Sequence, residues 1–335
     1  MFVSILINNY NYGRFLREAI DSALSQTYRH IEVIVVDDGS TDNSRSIIAS
    51  YGDRIVSILQ VNGGQSAAFN AGFAASRGEV ICFLDADDEF LPLKVQRIVD
   101  QNRARQNTWY FHQMQFVDEH SNALSGSPVI RRSTGLYDLT FDSLRGKDIF
   151  WAPATSGLSF SRSLLERLLP MPENIRITSD NYLKFAATAL VPGIFIAETL
   201  SRQRIHGRNA YTFNNDPLLR AETKLLTGKA ISQRHPGIRK IGDRLVASGL
   251  GGKYRAGSHW REVWHELSEY TSLLPAAART AVFARFFYSA FLKPEANSSS
   301  PEISNLACLN SGLPHKSAAT ARGLDLATFQ KVSHD

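Results

Sequence analysis

Cysteine is nearly missing from this chain of 335 residues: there are two, Cys82 in an apolar run and Cys308 in a polar tail. A disulfide framework is thereby excluded, and a chain of this length can bury a core without one. Cys/His spacing of the zinc-binding kind is lacking too. No stretch approaches the roughly 20 apolar residues that span a bilayer. Met1 leads directly into a strand-like run with no charged leader or cleavage site. The expectation is a cytoplasmic protein, with peripheral contact at the inner face of a membrane left open. The net charge of +5 attracts anions without choosing among nucleotides, polyanionic glycans and acidic membranes.

What is present is a regular alternation of patterns. Residues 2–8 (FVSILIN) read as a strand, and residues 14–26 place Phe15, Leu16, Ala19, Ile20, Ala23 and Leu24 on one helical stripe. Residues 31–37 (IEVIVVD) are apolar over most of their length, as a strand covered on both faces would be. After a turn at Asp38-Gly39-Ser40, one of Ser40, Thr41 or Asp42 can cap a helix carrying Ile47 and Ile48. A strand at 55–61, a helix at 66–76 and a strand at 79–84 follow. This order predicts an α/β fold with a mostly parallel, Rossmann-like sheet flanked by helices. Beyond it we expect a helix over 92–106, a strand over 109–117 and a loop over 119–135. Helices over 161–169 and 179–189 and one or two strands in 193–206 come next. From residue 216 the pattern is helical, and the Ser-, Ala- and Asn-rich segment after Pro294 predicts poor order.

Ligands of such sheets collect beyond the carboxyl ends of the strands. Three polar clusters fall there: Asn8-Asn9-Tyr10-Asn11, Asp37-Asp38-Gly39-Ser40 and Asp85-Ala86-Asp87-Asp88. Carboxylates two apart at a strand end can share one hard cation that also binds substrate phosphates. The same acidic run also fits a plain turn or helix cap. A carboxylate in the second cluster can accept from a nucleobase N–H or a ribose hydroxyl, or serve only as turn chemistry. Tyr10 can stack on a base or simply pack.

Together the motifs carry a resemblance. VSILINNYNYGRFLREAIDSALSQTYRHIEVIVVDDGSTDNS, followed by NGGQSAAFNAGFAASRGEVICFLDADDEFLP, resembles the family 2 glycosyltransferases of GT-A fold over about residues 2–210. The resemblance implies an inverting transfer of a sugar from a nucleoside-diphosphate donor, favouring UDP, to an acceptor hydroxyl, with Mg2+ or Mn2+ as cofactor. Surface polysaccharide or glycan synthesis would be the setting, and no nucleic acid partner is expected. By position, Tyr10 and Asp38, with neighbouring Asn9, would hold the nucleobase. Asp85 and Ala86 of the DxD motif would lie near the ribose, and Asp87, with Asp85, at the metal. Gly64 and Asn70 would line the donor pocket, although Ala-Phe-Asn stands where many members have Ala-Arg-Asn. Asp180 would be the general base, in a Ser179-Asp180 pair where members usually carry two acids. Arg204 and His206 match an Arg-x-His segment, Arg204 toward phosphate and His206 toward diphosphate or metal. Trp151 and Ser156 fall on the acceptor side, where Trp151 either stacks on a sugar or belongs to the core.

The expected domains are a GT-A unit over 1–210, with a donor half of about 1–108 and an acceptor half of about 109–210. A helical extension over 211–293 and a tail over 294–335 complete the chain. A nucleotidyltransferase would need a glycine-rich basic loop after the first strand, which residues 8–13 lack. A non-catalytic nucleotide- or glycan-binding protein on a transferase scaffold is the alternative that the single acid at Asp180 keeps alive. Residues 276–292 (AAARTAVFARFFYSAFL) gather Val282, Phe283, Phe286, Phe287 and Phe291 on one face. That stripe suits packing on the chain's own domain or a second subunit, or an anionic membrane bearing a lipid-linked acceptor.

Overall fold

Side chains that alternate across strands build two cores, one on each face of a single sheet. The computed structural model describes residues 1–101, 107–145, 153–207, 209, 212 and 216–293. In chain order its elements begin β1 (Val3–Asn9), α1 (Gly13–Leu24), β2 (Ile31–Asp38), α2 (Ser44–Ala49), β3 (Val56–Gln60), α3 (Gln65–Ala75) and β4 (Val80–Asp85). Then come β5 (Glu89–Phe90), α4 (Lys94–Gln101), β6 (Trp109–Val117), β7 (Gly135–Tyr137), α5 (Thr140–Arg145), β8 (Leu158–Ser161), α6 (Arg162–Leu168), α7 (Asp180–Leu190) and β9 (Gly193–Arg204). Four helices follow: α8 (Pro217–Arg234), α9 (Arg239–Arg255), α10 (Trp260–Ser272) and α11 (Ala276–Phe287), the last running into a π turn over Tyr288–Leu292.

From β1, Val3, Ile5 and Ile7 enter the core under α1, α2 and α4, while Leu6 enters the core under α6, α7 and α8. Val80, Cys82 and Leu84 of β4 likewise oppose Ile81 and Phe83. This two-residue alternation, apolar on both faces, explains why the central strands read as unbroken hydrophobic runs.

The strand order is β3-β2-β1-β4-β8-β6-β9-β5, with β7 also on β9. The mostly parallel sheet that the sequence predicted requires correction. Pairs β1–β2, β1–β4, β2–β3 and β6–β9 are parallel, but β4–β8, β6–β8, β5–β9 and β7–β9 are antiparallel. Two of the antiparallel pairs arise because β8, a segment with no strand signal, inserts between β4 and β6, and the other two because the short strands β5 and β7 pair with β9. The four residues of β8, LSFS, are too few for a period to stand out, and its serines are as buried as its Leu and Phe. The region 193–206 is one strand, β9, whose register against β6 shifts around Gln113.

The C-terminal helices are built into the same body. Ala230 and Ile231 of α8 and Ile241 and Leu245 of α9 join the core beneath α6 and α7. Glycines let α8 and α9 approach closely: a Cβ on Gly228 would stand 2.7 Å from the carbonyl oxygen of Gly242. Among the described residues no helix is long and apolar enough to cross a membrane. The expected tail over 294–335, like Trp151 and the end of the helix predicted to reach residue 106, lies outside the described residues.

Candidate active site

Strand register brings the polar clusters together. Asn9 pairs in register with Asp37, and Asn8 with Asp85, so the ends of β1, β2 and β4 lie side by side. Above them opens a cleft of about 680 Å³ whose lining includes Asn9, Tyr10, Asp38, Gly64, Asp85, Ala86, Asp87, Asp180 and His206. Nine of the residues singled out in the sequence therefore share one cavity.

Each is held by identifiable contacts. Asn9 donates through Nδ2 to Asp37 Oδ1 at 2.8 Å and to Ser40 Oγ at 3.1 Å. Asp38 accepts from Gln60 Nε2 (2.7 Å) and from the amides of Gly63 (2.8 Å) and Gly64 (2.7 Å). Three of its roughly four acceptor positions are thus committed, two of them to the glycine turn. Gly64 has φ +91°, and a Cβ there would come within 2.7 Å of Arg176 Cα, so glycine is required twice over. Tyr10 remains 47% exposed at the mouth, with its ring available to a ligand.

Asp85, Asp87 and Asp88 can bring one carboxylate oxygen each to within 4.8 Å of one another. Burial, with the charges of Asp87 and Asp180, raises the Asp85 carboxyl to about 7. Burial, with the charges of Asp87 and Asp85, holds Asp88 well above the usual carboxylate range. Burial, together with these three acids, also lifts the Tyr12 phenol far above its ordinary value. Such crowding is what a divalent cation relieves. His206 is buried against Phe15 and Tyr12, its Nε2 3.0 Å from Asp87 Oδ2. The side chain of Asn209 also donates to that oxygen, at 3.3 Å.

Asp180 opens α7 on the opposite wall. Lys184, one turn on, places Nζ 2.8 Å from Asp180 Oδ2. Gln65 ties the two walls together: its Nε2 donates to Asp85 Oδ1 (3.3 Å) and its Oε1 accepts from the Ser179 amide (2.8 Å). Thr178, two residues before Asp180, has φ +50°, a strained conformation for a β-branched residue.

Three of the singled-out residues do not line the cleft. Asn70 makes a two-way clamp on the Met171 backbone, donating to its carbonyl and accepting from its amide. Arg204 is 1% exposed, and its guanidinium donates to the Asp87, Asp118 and Glu119 carbonyls, to Ser121, and to the Glu18 and Glu89 carboxylates. Ser156 is buried under the acidic cluster, where its Oγ accepts from the Asp85 amide at 3.0 Å. Its carbonyl accepts from Lys94 Nζ (2.7 Å) and Ser201 Oγ (2.8 Å).

Three lining residues, Gln65, Arg176 and Lys184, had no place in the sequence reading, and two more, Asp88 and Thr155, stood there only within longer runs. Asp88 was legible as part of the acidic run. Arg176 and Lys184 had no motif to mark them; they supply cationic side chains that the Ala-Phe-Asn stretch of α3 does not.

Comparison with known proteins identifies the family. Residues 4–161 match the family described as Glycosyl transferase family 2. An uncharacterized glycosyltransferase of Nostoc sp. is 36% identical over 284 residues, covering 79% of this chain and 86% of that protein. The chain belongs to glycosyl transferase family 2. An uncharacterized glycosyltransferase of Rickettsia prowazekii is 32% identical over 207 residues, 61% of this chain and 64% of its own length. In fold, this family 2 glycosyltransferase is similar to Staphylococcus aureus TarS 1–349, solved in complex with UDP-GlcNAc. The TM-score is 0.63 at 16% identity, covering 87% of this chain and 89% of that one.

Proposed function

We propose that this glycosyltransferase moves a sugar from a nucleoside-diphosphate donor, UDP-linked by preference, to the hydroxyl of a glycan or lipid-linked acceptor, inverting the anomeric carbon. The observation that carries the reading is the convergence of Asp38, Asp85, Asp87 and Asp180 on one cleft. Tyr10 and Asn9 would receive the base, with Asp38 acting chiefly by shaping the Gly63-Gly64 turn. Asp85 and Asp87 would hold Mg2+ or Mn2+, since their mutual repulsion fits a divalent ion. Such an ion supplies Lewis-acid stabilisation of charge on the departing diphosphate. His206 would orient Asp87 and close the metal site. Arg176 and Lys184 would meet diphosphate oxygens as charge-assisted donors.

Asp180 accepts the proton of the acceptor hydroxyl, the hydroxyl oxygen bonds to the anomeric carbon, and the bond from that carbon to the diphosphate breaks. The nucleoside diphosphate leaves with the electron pair. Asp180→Asn keeps the shape and removes the base, so transfer should fall by about 10²- to 10⁴-fold. UDP affinity by calorimetry should stay within a few fold. Transfer near the wild-type rate in Asp180→Asn would refute the assignment. If no donor sugar were ever transferred by the wild type, the non-catalytic binding alternative would take its place.

A further inference from the structure

The helix predicted over residues 276–292 carries two rows of apolar side chains. One row, with Val282, Phe286 and Ala290 at its centre, is buried against α9 and α10. The other faces outward. Trp260 and Trp264 of α10 stack at 5.4 Å, Tyr254 meets Phe291 at 5.2 Å, and Phe287 stacks on Phe291 at 6.0 Å. Packing does not cover these rings: Trp264 is 39% exposed, Phe287 42% and Phe291 54%, with Leu292 beside them at 70%. Isolated exposed apolar residues are ordinary; a contiguous aromatic layer marks a surface that meets something.

Charge identifies the occupant. Residues 217–293 hold thirteen lysines and arginines against five acidic residues, while the whole chain has a net charge of only +5. Arg255, Arg261 and Lys293 are exposed and directly follow Tyr254, Trp260 and Leu292 in the chain. Among the described residues none of the three is in a salt bridge, whereas Lys253 is paired with Glu266. Glu262 offsets part of this charge in the first turn of α10. A second copy of the chain would bring the same cationic surface against it. Aromatic rings rimmed by cations are instead complementary to the headgroup region of an anionic bilayer, where tryptophan sits between apolar and wet layers.

We propose that this face, formed by the C-terminal end of α9, the outer side of α10 and the π turn after α11, docks on anionic phospholipid surfaces. The rings enter the interface and Arg255, Arg261 and Lys293 meet lipid phosphates. The protein lies on the bilayer without crossing it. The inference stands apart from the donor chemistry and would survive its failure.

The test is co-sedimentation of the full chain with vesicles of phosphatidylglycerol and phosphatidylcholine, and with phosphatidylcholine alone. Binding is expected to the mixed vesicles, with a blue shift of tryptophan emission and release at high salt. Trp264→Ser with Phe291→Ser should weaken binding at least about tenfold through lost apolar burial. Arg261→Gln and Lys293→Gln should each weaken it about fivefold. These two positions are exposed, so the charge variants serve even if the aromatic variant misfolds, and their unfolding midpoints should match the wild type. No binding to either vesicle, or equal binding to both, would overturn the proposal. Concentration-dependent dimerisation without vesicle binding would also overturn it and make the face an interface between copies.

Discussion

At the scale of single residues, the acidic cluster depends on groups buried behind it. Lys94 is fully buried; its Nζ donates to the Ser156 carbonyl and lies 3.5 Å from the centroid of the Phe90 ring. Burial lowers its pKa from 10.5 to about 7, against the opposing pull of Cys82 and Asp88. In the folded protein this proton leaves near pH 7, and in the unfolded chain near 10.5. Between those values the unfolded chain binds more protons, so raising the pH favours the folded state. Stability should rise from about pH 7 toward 10 by more in the wild type than in Lys94→Met, measured by urea denaturation at several pH values. Parallel profiles for the two proteins would show that Lys94 is not the titrating group. Little of this was readable beforehand. Lys94 lies in a stretch read simply as helix, and Ser156 in a stretch read as an acceptor loop. Their roles depend on β8 and β9 passing beneath the acidic run, a long-range packing that no local pattern records.

Elements explain which expectations held. The strands at 31–38, 80–85 and 109–117 were legible as apolar or aromatic runs of strand length, and the helices at 162–168 and 180–190 because each is long enough to display its period. β5, β7 and β8 have two, three and four residues and show none. The α8–α9 pair makes a different point: glycine weakens a helix by intrinsic propensity, yet Gly228, Gly242 and Gly249 allow backbone contact here. A Cβ on Gly228 would stand 2.7 Å from both the Gly242 oxygen and the Val246 nitrogen. Gly228→Val should therefore lower stability by about 1–3 kcal/mol or more. The denaturation midpoint would fall while the m-value stayed unchanged. A midpoint equal to wild type would mean that the two helices can part at little cost.

At the scale of the whole molecule, the cleft joins sequence-distant walls: Asp85 and Asp87 on one side, Thr178 and Asp180 on the other, bridged by Gln65. A ligand that engages both walls stabilises the body as one. We expect UDP with Mn2+ to raise the unfolding temperature by several degrees, corresponding to about 2.7 kcal/mol at one hundred times Kd. Asp87→Ala should abolish the Mn2+-dependent part. An unchanged response to Mn2+ in that variant would remove Asp87 from the metal site.

The sequence by itself determined that the chain folds as α/β, that polar clusters end the first, second and fourth strands, and that the chain resembles family 2. Those features are local periods and short motifs, each legible within a few tens of residues. Tertiary structure alone decided that the sheet is mixed, that Asn70, Arg204 and Ser156 are held in protein contacts away from the cleft, and that Arg176 and Lys184 enter it. It also divided one aromatic stripe into a buried row and an exposed one. Each of these outcomes depends on which distant segment fills the space beside a residue, and burial and hydrogen-bond satisfaction are settled only when that neighbour is in place.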